Sequence, residues 1–155
     1  MKSRKKNNVV RLTKQFHFEM AHALYGYDGP CKNVHGHSYE LSVTVTGKII
    51  PEKTSAKSGM VMDFSDLKKL VKELIVDPLD HALLLNKNTP HKEAEKIKFL
   101  FGKIVWVDYQ PTCENMLVDF SERIRKNLAA GISLHHLKLK ETPTSYAEWY
   151  AEDNK

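Results

Sequence analysis

A long alternation of apolar and polar residues does most to limit what this chain can fold into. From His35 to Ile49, the residues Tyr39, Leu41, Val43 and Val45 fall on one set of alternate positions. Ser38, Glu40, Ser42, Thr44 and Thr46 fall on the other. Successive side chains of a strand point to opposite faces, so this stretch reads as a long half-buried strand. Val9 to Ala21 reads as mostly extended too, with Phe16, Phe18 and Met20 alternating with His17 and Glu19. Between them, Tyr25-Gly-Tyr-Asp-Gly-Pro-Cys31 is rich in turn formers and reads as a loop.

The rest of the chain is shorter elements. Residues 51–58 read as a loop and Met60 to Phe64 as a short returning strand. Ser65 can cap a helix running to about Val76, with Leu67, Leu70, Val71 and Leu74 on its apolar face. Residues 77–90 read as irregular. His91 to Phe101 reads as a short helix stopped by Gly102, and Lys103 to Asp108 as a short strand. Thr112 can cap a second long helix, marked by Met116, Leu117, Phe120, Ile124 and Leu128 and ended by Gly131. Leu134 to Thr142 and Ser145 to Tyr150 are two final strands joined through Pro143. The order implies an α+β domain: an antiparallel sheet with two long helices on one face. The other face, or the sheet edges, then needs cover. Oligomerisation that closes several sheets into a β-barrel would supply it.

With 155 residues the chain is sized for one domain and is too short for a TIM barrel. No window approaches 18 consecutive apolar residues, so no membrane span is expected. MKSRKKNN has no apolar stretch behind it, so no secretory signal is expected and the expected location is cytoplasmic. The net charge is +5, with Lys2, Arg4, Lys5 and Lys6 gathered at the start. Residues 1–8 therefore read as a basic, disordered tail and 9–155 as the domain. No aromatic-interleaved basic patch follows the tail, so nucleic acid is not an expected partner. Cys31 and Cys113 form no CxxC pair, which excludes a zinc finger and favours free thiols.

The local chemistry centres on His35-Gly36-His37. Two imidazoles at i and i+2 of a strand share a face, and the glycine between them leaves room for a metal clamp. His22, closing the preceding strand, can supply a third ligand. Three neutral histidines with an open fourth position describe a catalytic zinc site. A cupin would need a glutamate on the same face, but that position is Leu41, and Glu40 has the wrong parity. Cys31 lies four residues before His35, where it suits a general base or nucleophile; a buried structural thiol is the alternative. Asp80-His81 can tune that thiol or donate a proton, or else serve only its own loop. Glu141 continues the apolar stripe of Leu137 and Leu139, so it either pairs with a ligand bearing adjacent N–H donors or marks where the strand reaches solvent.

FHFEMAH, C-x3-HGHSYELSVTVTG, GMVMDFSDLK, LDHALLLN, PTCEN and LKLKET occur in this order over about residues 15–150. Together they resemble the 6-pyruvoyl-tetrahydropterin synthase / 6-carboxy-tetrahydropterin synthase family, most of all its bacterial 6-carboxy-tetrahydropterin synthase branch in queuosine and deazapurine synthesis. The resemblance implies the tunnelling fold (T-fold), with subunits closing a β-barrel, a hexamer of two trimers, and active sites between subunits. It implies His22, His35 and His37 as ligands of Zn²⁺, and Cys31 as catalytic base with Asp80 and His81 as relay partners. Glu141 would anchor the pterin ring, with Thr112 and Glu114 lining the same pocket. The implied substrate is 7,8-dihydroneopterin triphosphate. The products would be 6-carboxy-tetrahydropterin, acetaldehyde and triphosphate or, in the other branch, 6-pyruvoyl-tetrahydropterin. A zinc-stabilised pterin-binding module without turnover is a further alternative, as is an RNA-binding protein using the basic tail. Two departures stand out: residues 88–108 look like an insertion, and Cys113 replaces a hydroxyl in the PT-S/T-E motif.

Overall fold

The two alternating stretches become the two longest strands, β1 (Val9–Ala23) and β2 (His35–Lys48). They pair antiparallel along their length, from Val9 opposite Lys48 to His22 opposite His35. The computed structural model describes residues 8–90, 94–96, 98–99 and 102–155. The basic tail therefore lies almost wholly outside the described residues. The other strands are β3 (Ala82–Asn86), β4 (Ile104–Val107), β5 (Ile132–Thr142) and β6 (Ser145–Tyr150). They form one six-stranded sheet in the order β4-β3-β1-β2-β5-β6.

The β1-β2-β5-β6 part is antiparallel, as expected. The sheet as a whole is mixed, because β3 runs parallel to β1 and β4 parallel to β3. β3 falls inside a stretch expected to be irregular. Its run Ala82-Leu83-Leu84-Leu85 has no period of two because both of its faces are covered. Leu84 joins the main core, and Leu85 a small second one with Ala23 and Ala94, against Leu83, Ile104 and Trp106. Of the helix expected over His91–Phe101, residues 94–96 and 98–99 are helical, and 91–93, 97 and 100–101 lie outside the described residues.

Three helical pieces cover one face of the sheet. α1 (Phe64–Val71) runs through a π turn, Lys72–Val76, into α2 (Asp77–Leu79). Its cap is Asp63 rather than Ser65: the Asp63 carboxylate accepts from Ser65 N at 2.7 Å. Phe64 is thus drawn into the helix, and Met60–Phe64 forms no strand. Leu67, Val71, Ile75 and Leu79, four residues apart, are all buried. α3 (Cys113–Asn127) is capped by Thr112, whose hydroxyl accepts from Asn115 N at 3.3 Å. It ends at Asn127; Gly131 lies beyond, in the turn into β5, where its φ of +82° suits glycine.

The core sits between these helices and the inner sheet face. Tyr39, Leu41, Val43 and Val45 of β2 are each 0% exposed and pack with Met116, Phe120 and Ile124 of α3 and Leu137 and Leu139 of β5. Burying each such leucine or valine contributes roughly 2 kcal/mol. A β-bulge interrupts β5: Leu134 pairs with Val45, but His136, not His135, pairs with Thr44. Below the bulge Leu134 faces inward; above it Leu137 and Leu139 do. Among the described residues, no helix is long and apolar enough to cross a membrane.

Candidate active site

Strand register builds the histidine cluster. His22 stands directly opposite His35, and His37 follows two positions along β2 on the same face. The ligating nitrogens of all three lie within 4.8 Å of one another. The glycine works differently from expectation. Gly36 faces away from the rings, opposite Ala21, and a Cβ there would meet the Met20 carbonyl at 3.3 Å. The absent side chain relieves the outer face, not the clamp.

Neighbouring carbonyls set the ring orientation. His22 Nδ1–H donates to Pro111 O at 2.7 Å, and His35 Nδ1–H to Asn33 O at 2.8 Å. In the neutral rings that leaves both Nε2 atoms as acceptors, yet they face each other at 3.1 Å. Two lone pairs at that distance need a cation between them. Ligands of one tetrahedral ion at about 2.0–2.1 Å stand roughly 3.3 Å apart, close to what is seen. His37 Nε2 is buried with no hydrogen-bond partner. It lies 3.5 Å from Glu141 Oε1, too poorly placed for a hydrogen bond. Burial lowers the pKa of His22, and less strongly buried His37 is lowered for the same reason, against the pull of Glu141. Both rings therefore favour the neutral, metal-binding form. These residues fit a metal ion.

Glu141 borders the cluster from β5. Its Oε1 is 3.4 Å from His22 Nε2 and accepts the Tyr39 hydroxyl at 3.1 Å. Burial and the Glu141 charge push the Tyr39 phenol far above its ordinary pKa, so it stays a donor. Beside this pair is a cavity of about 230 Å³ lined by His22, Cys31, Thr112, Cys113, Glu114 and Glu141, among others. Cys31, on the short 3₁₀ turn Pro30–Lys32, is partly exposed to it. The Leu24 N–H donates to Cys31 O at 2.9 Å and closes the loop at its base. Cys113 is buried, and burial pushes its thiol up to about 12, so it stays protonated. His22 of the expected metal set, Cys31, Thr112, Glu114 and Glu141 thus line one space, with His35 and His37 clustered about His22.

Asp80 and His81 are elsewhere in the chain. His81 opens onto a separate hollow of about 620 Å³, lined also by Glu19, Gly36, His37, Ser38 and Lys103. The two form a pair: His81 Nδ1 lies 3.0 Å from Asp80 Oδ2. Asp80 Oδ1 accepts from Glu19 N at 2.9 Å, and that bond, ahead of His81, holds its carboxyl below the usual range. Within one chain, Cys31 and His81 therefore line different spaces. Glu40 pairs with Lys140 at 3.4 Å on the outer face, away from the histidines.

Sequence reasoning missed Tyr39 and the Pro111 and Asn33 carbonyls. Tyr39 shares the parity of His35 and His37, a usable signal, but an aromatic residue on an apolar stripe reads as core.

The chain resembles known proteins over nearly its full length. The family profile described as 6-pyruvoyl tetrahydropterin synthase matches residues 11–152. A 6-carboxy-5,6,7,8-tetrahydropterin synthase of Haemophilus influenzae is 38% identical over 143 residues, covering 91% of this chain and 99% of that protein. A 6-pyruvoyl tetrahydrobiopterin synthase of Pongo abelii is 30% identical, covering 92% of each. In structure, a 6-pyruvoyl tetrahydropterin synthase of Caenorhabditis elegans aligns with a TM-score of 0.65 at 23% identity, covering 94% of this chain and 98% of that one. Its sheet and helices have the T-fold arrangement built here from β1 to β6. The chain belongs to the 6-pyruvoyl tetrahydropterin synthase family, the lyase-type tetrahydropterin synthases.

Proposed function

We propose that this protein is a zinc-dependent lyase converting 7,8-dihydroneopterin triphosphate to 6-carboxy-5,6,7,8-tetrahydropterin, acetaldehyde and triphosphate, a step toward deazapurines such as queuosine. The observation that carries this reading is a metal-competent histidine trio whose His22 lines one cavity with a carboxylate, Glu141, and a thiol, Cys31. The 38% identity to the Haemophilus influenzae protein supports the carboxy product.

His22, His35 and His37 would hold the ion. Bound there, zinc would supply Lewis acidity toward the hydroxyls of the substrate side chain. Glu141 would receive the adjacent N–H groups of the pterin edge as a bidentate acceptor, its place set by the Tyr39 hydroxyl. Cys31 would take a proton from the side chain, and His81, braced by Asp80, would return one. Thr112 and Glu114 would complete the ring pocket. The separation of Cys31 from His81 within one chain accords with a homo-oligomer, a hexamer of two trimers closing β-barrels, whose sites form between subunits. The proposed location is the cytoplasm.

Incubating zinc-loaded protein with 7,8-dihydroneopterin triphosphate should give carboxy-tetrahydropterin by mass spectrometry, with trapped acetaldehyde. Unchanged substrate would overturn the activity. Cys31→Ala should lower turnover by about 10³-fold while zinc stays bound. Full activity in that variant would sink the role of the thiol. The family profile and the Pongo abelii relative favour a second reading, 6-pyruvoyl-tetrahydropterin without acetaldehyde. The same assay separates the two.

A further inference from the structure

Residues 88–108 have no role in the site as described so far, yet the stretch delivers one side chain to it. Lys103 Nζ donates to the carbonyls of Asp77 at 2.9 Å and Asp80 at 2.6 Å. The Asp80 carbonyl belongs to the peptide that also carries the His81 N–H, and that N–H donates to Glu19 O at 2.6 Å. Both polar groups of one peptide are therefore engaged, from opposite sides, and its plane is fixed. The constraint matters because His81 is in the left-handed region, at φ +58°, which residues other than glycine seldom occupy. Its side chain is 77% exposed, so little packing holds the ring. The direction of the imidazole depends on its backbone and on Asp80 Oδ2, 3.0 Å from Nδ1. Lys103 is itself set by the main chain, where Leu83 N donates to Lys103 O at 3.0 Å at the entrance to β4.

We propose that Lys103 is a positioning residue for the Asp80–His81 pair. By holding the Asp80 carbonyl it keeps the following peptide in the plane that lets His81 pair through Nδ1 and offer Nε2 for proton transfer. Lys103 then acts on the chemistry through the Asp80–His81 peptide, from the lining of the hollow it shares with His81. The proposal rests on His81 being the proton donor, as read above.

Lys103→Met keeps the length of the stem and removes its donors; Lys103→Arg keeps donors. The zinc-loaded full chain is assayed with 7,8-dihydroneopterin triphosphate, with zinc content and Tm recorded for each variant. Lys103→Met should lower kcat about 30-fold with KM nearly unchanged, and Lys103→Arg by less than about 3-fold. In ¹⁵N spectra of the histidine rings, the His81 signals, identified by their loss in His81→Asn, should change from one dominant tautomer to a mixture in Lys103→Met. Wild-type kcat and an unchanged His81 spectrum in Lys103→Met would overturn the proposal. So would equal losses in both variants that follow Tm. Full activity in His81→Asn would overturn the underlying reading instead, and the ring spectrum of Lys103→Met would then decide the coupling alone.

Discussion

β1 and β2 hold each other in a different way from β3 and β4. The first pair is antiparallel over its whole length, and its inner face carries the fully buried Tyr39, Leu41, Val43 and Val45. Its outer face is laced by side-chain hydrogen bonds: Thr13 to Thr44 at 2.8 Å and Ser38 to Glu19 at 2.8 Å. The second pair is parallel and short, from Leu83 opposite Ile104 to Asn86 opposite Val107, with a small core of its own. The candidate chemistry divides along the same line. The metal-competent nitrogens stand on the first pair, where packing and register fix them. The Asp80–His81 corner leads into the second, where a few hydrogen bonds do. The site proposed to hold an ion sits on long paired strands; the group proposed to pass a proton sits at a strained corner.

The contrast can be broken at either end. The largest effect should come from His37→Ala, which removes a ligand and should weaken zinc binding by about 10³-fold or more in a chelator competition. Unchanged affinity would mean that β1 and β2 do not form the metal site. Next, Leu41→Ala should cost about 4 kcal/mol by denaturant unfolding, and Leu85→Ala about 2 kcal/mol, because among the described residues the second core has fewer members. Equal losses would erase the distinction between the two pairs. The smallest effect concerns pH in the metal-free protein. His22 and His37 have folded pKa values below the ordinary 6.5. The folded state then binds fewer protons than the unfolded chain just below that value, so stability is full above it and falls as pH drops. The Tm of metal-free protein should decline from about pH 7 to about pH 5, and His22→Gln should flatten the decline. A flat profile in the parent protein would rule out this linkage.

The two regions also differ in how openly the amino-acid sequence declares them. β1, β2 and α3 follow from periodicity, since each has one covered face and one wet one. Ala82 to Leu85 shows no period because both faces are covered, the second by residues that arrive later in the chain. Its parallel direction comes from the helical crossover before it, which no local pattern encodes. Asp63 and Ser65 are both good cap residues two positions apart, and only the observed bond to Ser65 N decides between them. In the site, strand parity pairs His35 with His37, the close of the preceding strand brings in His22, and the end of an apolar stripe raises Glu141 as a ligand-pairing group or a strand end. The carbonyls of Pro111 and Asn33 that orient two of the rings were invisible, because every residue has one.

The bulge in β5 has a consequence for how this strand can change. Leu134 faces inward below it, and Leu137 and Leu139 above it, so one supernumerary residue resets the inward phase from even to odd numbers. Glu141 reaches the histidines in the second phase, and the register with β6 shifts again beside it, between Lys140 and Thr142. Loss of His135 would remove only that extra residue: Leu134, His136 and Leu137 would alternate plainly opposite Val45, Thr44 and Val43, and Leu137, Leu139 and Glu141 would keep their faces. Loss of Lys138 instead would act as a frameshift in space, putting Leu139 and Glu141 on the opposite face from Leu137. A single deletion is therefore tolerable at the bulge and not in the paired run above it, and the length of that run carries orientation as much as reach.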